Sequence, residues 1–272
     1  MPIVTISRGS YTRGRNFAEK LAEKMGYESI SREVLINASE QFNIPEIKLR
    51  KALHDAPSTL ERFTHGKQKY IAYIKNAILQ HMVKDNVIYH GLAGHAFLPK
   101  IDHLLRIRVR ADLADRVQEE MRRESISEED ARYRLNKDDE ERRKWSIFVT
   151  GHDPCDPNQY ELMLNASSIP IDDMVDIVAQ LLQKPYLQAT PESQKVVEEL
   201  AKASEIKAKL VETYPEVEVQ CIDQTAVVSV QGSISQEESL ARSIREMIKD
   251  VQGIENVRVH VVPGTGLAYS AG

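Results

Sequence analysis

Cysteine is nearly missing from these 272 residues: only Cys155 and Cys221 occur, far apart and without companions at metal-ligand spacing. That scarcity argues against a disulfide framework and a thiolate zinc site, and it fits a reducing cytosol. Positive charge is also in short supply, with 36 Lys and Arg against 41 Asp and Glu and a formal net charge of -5. No global field would hold nucleic acid or an acidic membrane, so any anion site has to be built locally. Nor does any apolar run approach the ~20 residues of a membrane span. The chain opens at Met1-Pro2-Ile3 with strand-like sequence instead of a charged and then apolar leader, so the expected compartment is the cytoplasm. What is present is an ordinary globular composition, 42% hydrophobic and 28% charged, enough for two cores.

The spacing of apolar residues predicts a strand over 3–7, a polar segment with Gly9 and Gly14, and an amphipathic helix through Phe17, Leu21 and Met25 that stops at Gly26. A second helix is expected over 33–42, and helical spacing recurs over 58–83 with a break at Gly66. Strands are expected over 86–89, 104–109 and 160–164, with a charged, helical stretch over 112–144 and a helix over 171–182. Strands alternating with helices predict an α/β fold, a parallel sheet covered by helices on both faces. Pro185 and Pro191 then mark a linker over 185–195 between a domain of residues 1–184 and a second over 192–264, leaving 265–272 as a tail. In the second domain a helix over 192–212 precedes strands over 216–222 and 226–230, the pattern of a hairpin. Ser235 and Glu238 have capping-box spacing for a helix through Val251, and Val257, Val259 and Val261 alternate in a last strand. The order is αββαβ, a small α+β unit.

Gly9-Ser10-Tyr11-Thr12-Arg13-Gly14-Arg15-Asn16 joins the first strand to the first helix, with glycines at the first and sixth positions of a Walker A spacing. Backbone amides of such a loop point at phosphate oxygens, and the helix end behind them adds about half an elementary charge. All eight residues are therefore candidates for holding a polyphosphate. Arg15 stands where lysine is usual, and Asn16 where a Ser or Thr hydroxyl ligates magnesium. Histidines 90, 95 and 103 lack helical i, i+4 spacing and a carboxylate arrangement, so no metal site is assigned to them. Cys155 lies in a proline-bounded acidic loop, Asp153-Pro154-Cys155-Asp156-Pro157, that reads as structural.

Ile6-Ser7-Arg8, Gly14-Arg15 and Ala18-Glu19-Lys20-Leu21-Ala22 resemble the cytidylate kinase-like branch of the P-loop nucleoside-monophosphate kinases. Asn86-Val87-Ile88, the run Ser127 to Ala131, Asp139 to Arg142 with Trp145, and Tyr160-Glu161-Leu162 with Asn165 continue the resemblance in order over about residues 1–182. It implies a P-loop NTPase core with an arginine-bearing lid, ATP and Mg2+ as cofactors, and nucleotide ligands. By position in the motif, Arg15, Arg142, Asp139 and Arg116 would be catalytic: Arg142 clamping phosphate oxygens, Asp139 orienting it, and Arg116 facing the donor from the start of the lid helix. Ser31 and Arg32 would lie on the acceptor side. Four departures go with the match: Asn16, Ser31 in place of Asp, Gly91-Leu92 in place of Gly-Arg, and Glu119 in place of a second lid arginine. The changes remove groups of the kind that stabilise a transferring phosphoryl group.

Val228 to Gly232 before the capped helix, and Gly253-Ile254-Glu255-Asn256-Val257 before the last strand, resemble a BON domain. That resemblance implies a membrane surface or a protein as partner; homo-oligomerisation stays open. Three readings stand: ATP-dependent transfer to a CMP-like nucleoside monophosphate, transfer to another small acceptor, and a nucleotide-binding sensor that acts through the second domain.

Overall fold

The computed structural model describes residues 2–31, 66–91, 94–98 and 101–262. The helix expected over 33–42, the stretch 58–65, Arg32 and Leu92 lie outside the described residues. Five strands, β1 (Ile3–Arg8), β2 (Glu28–Ile30), β3 (Val87–His90), β4 (Leu104–Arg110) and β5 (Leu162–Asn165), form one sheet in the order β2-β3-β1-β4-β5. Every pairing in it is parallel. β1 is central and buried along nearly all its length, as a strand covered on both faces must be. Its alternating side chains divide the core: Ile3 joins Tyr89 and Leu104 on one face, while Val4 and Ile6 join Ile88, Leu105 and Ile107 on the other.

The second face is covered by α1 (Tyr11–Met25), through Phe17, Ala18, Leu21 and Ala22, and by the helix Ile171–Leu182. α1 ends where expected, on Gly26 with φ 67°, whose amide donates to Ala22 and Glu23 carbonyls. The first face is covered by α2 (Gly66–Met82), the short α3 (Gly94–Phe97) and Trp145 of a long charged helix. The charged stretch is two helices, α4 (Leu113–Glu124) and α5 (Glu128–Thr150), separated at Ser125 and capped by Ser127, whose hydroxyl accepts from the Asp130 amide. With Ile171–Leu182 as α6, the sheet is covered by helices on both faces, the α/β architecture the sequence predicts.

A second, three-stranded sheet follows α7 (Pro191–Leu210): β6 (Glu218–Ile222) runs antiparallel to β7 (Thr225–Gln231), and β8 (Asn256–Val262) parallel to it, with α8 (Glu237–Ile248) packed on them. The αββαβ order is the one the sequence predicts. Residues 185–195 are not a free tether. Leu187 is buried, and α7 sends Val197 and Ala201 into the first core while Ala203, Ile206 and Leu210 enter the second. Hydrogen bonds from Gln194 Nε2 to Val83 O (2.8 Å) and from Tyr73 Oη to Glu212 Oε1 (2.8 Å) bind this segment to α2 and its end. No helix of the described residues is long and apolar enough to cross a membrane.

Candidate functional site

The carboxyl ends of β1, β3 and β4 meet the amino end of α1. β1 stops at Arg8 and α1 starts at Tyr11, so only Gly9 and Ser10 link them. The stretch 9–16 differs here from the expected open loop: from Tyr11 onward it is helix, and the Gly14 amide already donates to Ser10 O at 3.1 Å. The reason lies in its side chains. No glycine stands at 10–13 to take the left-handed conformations a phosphate-wrapping loop uses, and Tyr11, Thr12 and Arg13 accept ordinary helical angles. Gly14 is needed for another purpose: a Cβ there would sit 2.8 Å from Arg8 Cγ, because the Arg8 side chain crosses it on its way to stack 4.7 Å from the Tyr11 ring centre.

What remains is an uncapped helix terminus. The amides of Tyr11, Thr12 and Arg13 have no acceptor within the helix, the Ser10 side chain makes no cap hydrogen bond, and no acidic residue occupies the first turn. A partial positive charge is left facing the sheet edge. Gly9 is pinned by its own amide, which donates to Val109 O at 2.7 Å.

The other expected site residues are spread around this end. Arg15 and Asn16 fall on the exposed face of α1, and Arg15 Nε donates to Glu19 Oε1 at 2.8 Å instead of turning inward. Arg13 does turn inward, along the top of the sheet: it donates to Glu119 Oε1 (2.5 Å) and to Ala166 O (2.8 Å), with Asp115 Oδ2 at 3.4 Å. Glu119, read from sequence as the loss of a lid cation, is thus half of an ion pair between α4 and the first turn of α1. Asp139 holds Arg116, not Arg142, through a bidentate pair at 2.7 and 2.8 Å. Arg142 is half-buried and has no ion-pair partner among the described residues. Ser31 follows the carboxyl end of β2, two strands from β1 in the sheet.

A polar cluster that the sequence reading did not assemble lies beside Gly9. Arg108 Nη1 donates to Ser7 Oγ at 2.9 Å, Tyr160 Oη donates to Pro154 O at 2.9 Å, and the Tyr160 and Ser7 hydroxyls lie 3.1 Å apart. His95 Nε2 is 3.3 Å from the same phenol, and Cys155 Sγ accepts from Arg108 Nη2 at 3.5 Å. Burial, reinforced by Arg108 and Arg106, pushes the His95 imidazole down to about 4, so it is neutral near pH 7. Burial would raise the Glu161 carboxyl, but hydrogen bonds from Arg106 outweigh it and hold Glu161 below the usual range. The available signal was Leu104-Leu105-Arg106-Ile107-Arg108-Val109-Arg110: arginines alternating inside a buried strand must each find an acceptor.

Among solved structures the chain is similar to an uncharacterized protein from Eubacterium ventriosum, at 17% identity and TM-score 0.53, over 68% of this chain and 99% of that one. It is also aligned with shikimate kinase from Bacteroides thetaiotaomicron (13% identity, TM-score 0.41, 67% and 99% covered) and with dephospho-CoA kinase from Campylobacter jejuni (15%, 0.34, 66% and 96%). No curated protein matches. The model of the cytidylate kinase-like family matches residues 3–168, the stretch that holds the parallel sheet, the α1 terminus and the lid. The chain therefore belongs to the cytidylate kinase-like family.

Proposed function

We propose that this chain transfers a phosphoryl group from a nucleoside triphosphate to a nucleoside monophosphate, CMP in the family's usual case, or to a related small acceptor. The observation that carries the reading is the uncapped amino end of α1, opening at the carboxyl end of the central strand among arginines, in a chain of a kinase-like family. Phosphate oxygens fit what is present: three amides without an acceptor among the described residues, a helix dipole and nearby guanidinium groups. Magnesium does not fit at position 16, because Asn16 is exposed on the outer face of α1. Transfer of this kind asks little covalent chemistry of the protein, so the work of these residues is positioning and charge neutralisation. Opening and closing of α4 and α5 over the sheet edge would exclude water from the reacting groups.

A coupled assay of ADP release with ATP, magnesium and a panel of nucleoside monophosphates tests this, beside thermal shift with nucleotides alone. Acceptor-dependent turnover supports the enzyme. A second reading, a nucleotide-binding sensor, is favoured by Arg15 facing away and by the Arg13–Glu119 pair, and it predicts stabilisation by nucleotide without turnover. Stabilisation by no nucleotide defeats both. For residues 192–264 the reading is a BON-like module that localises or regulates the first domain. Flotation with anionic vesicles tests the membrane arm: full-length protein left entirely in the lower fraction rejects it.

A further inference from the structure

We infer that Arg108, held by Ser7 at the carboxyl end of β4, is the cation that receives the phosphate oxygens of a ligand at the amino end of α1, the task expected of position 15. The inference deepens the proposed function and rests on it only in taking the anion to be a phosphate. β4 lies beside β1 with Ser7 and Arg108 in register, so both side chains leave the sheet on one face and meet at 2.9 Å. A Cβ added at Gly9 would stand 3.5 Å from Arg108 Nη2. The guanidinium is thus within one side-chain diameter of the backbone that starts α1, where the first helix amides have no acceptor among the described residues. Gly9 keeps the approach open, since the same Cβ would crowd Val109 O at 3.2 Å and Arg110 Cα at 3.3 Å.

Charge balance sets Arg108 apart from Arg106 on its own strand and from Arg116 on α4. Arg106, two residues earlier on the same face, is answered by the Glu161 carboxylate at 2.5 and 3.0 Å, and Arg116 by Asp139. Arg108 is half-buried, yet its acceptors are the Ser7 hydroxyl and the Cys155 sulfur, and no carboxylate pairs with it among the described residues. A guanidinium has five donors and cannot shed its proton, so this one keeps a full charge with spare donors. A partly desolvated charge without a counter-ion is costly, and a phosphate would offset that cost. Tyr160 and His95 add no competing charge: the Tyr160 proton goes to Pro154 O and burial raises its phenol, and His95 is neutral near pH 7. The phosphate oxygens could come from the donor's terminal group or from the acceptor's monophosphate, and the titration below separates them.

The test is calorimetric titration of the full chain with inorganic phosphate, CMP and ATP, on wild type, Arg108→Met, Arg108→Lys, Ser7→Ala and Arg15→Ala. Phosphate should bind wild type, weaken at least tenfold in Arg108→Met, and recover in part in Arg108→Lys. Loss of CMP binding alone in Arg108→Met assigns the site to the acceptor, and loss of ATP binding alone to the donor. Should Arg108→Met fail to fold by circular dichroism, Ser7→Ala, which frees one donor, carries the test with an expected weakening of about threefold. Unchanged phosphate binding in the folded variants, no phosphate binding by wild type, or a larger loss in Arg15→Ala than in Arg108→Met would overturn the inference. Arg108-dependent phosphate binding without turnover would defeat the transfer reading and leave this one standing.

Discussion

A guanidinium cannot release its charge, so the acceptors each arginine finds determine what it can do. Arg13 is spent on the lid: its side chain is 20% exposed and that of Glu119 33%, so the pair is partly screened. Glu119→Gln should lower stability by roughly 1 kcal/mol, measured by urea unfolding, and Arg13→Glu with Glu119→Arg should restore part of it. His95 carries a pH dependence of definite sign. Its folded value, about 4, lies below the ordinary 6.5 of histidine, so between these two the unfolded chain binds more protons and stability falls as pH drops. The contribution is fully present above pH ~6.5 and is lost towards pH 4, for roughly 3 kcal/mol in all. His81 and His103 are lowered in the same direction by burial, so the check is a difference: His95→Gln should flatten, not abolish, the acid limb of a stability-against-pH curve.

Between α4 and α5 the bidentate Arg116–Asp139 pair is a fixed hinge pin, with the arginine side chain only 11% exposed. Double-mutant cycles with Arg116→Met and Asp139→Asn should return a coupling of about 1–2 kcal/mol in chemical denaturation, a value near zero excluding the pin. The helix over 171–182 has the bounds its periodicity predicts, because its apolar stripe is local information. At two helix starts the local signal misleads. Ser235 does not cap α8: its hydroxyl lies 2.8 Å from that of Ser233, a turn of 3-10 helix covers Ile234–Gln236, and Gln236 is the cap. At α1 the glycine spacing suggests a loop, and helix-compatible residues between the glycines shorten it to two residues.

For the molecule as a whole, α7 decides how the chain holds together. Val197 is fully buried in the first core although it lies beyond the expected boundary, and Val197→Ala should cost about 2 kcal/mol by thermal or urea unfolding. A fragment ending at residue 190 exposes the surface that Val197, Leu200 and Ala201 cover, whereas one ending at residue 211 keeps it covered. Calorimetry should show the shorter fragment melting well below the longer one or aggregating. Equal melting temperatures would mean that α7 adds nothing to the first core.

The alternation of strands and helices, the parallel sheet and the αββαβ order of the second unit were determined by sequence alone, because hydrophobic period and turn residues act over a few neighbours. Which arginine serves which acceptor was decided only by the tertiary structure. Arg13 meets Glu119 across 106 positions of chain, and Arg108 meets Ser7 across 101. Charge at such distances carries no periodicity, and it finds its partner only after the sheet has placed one strand beside another.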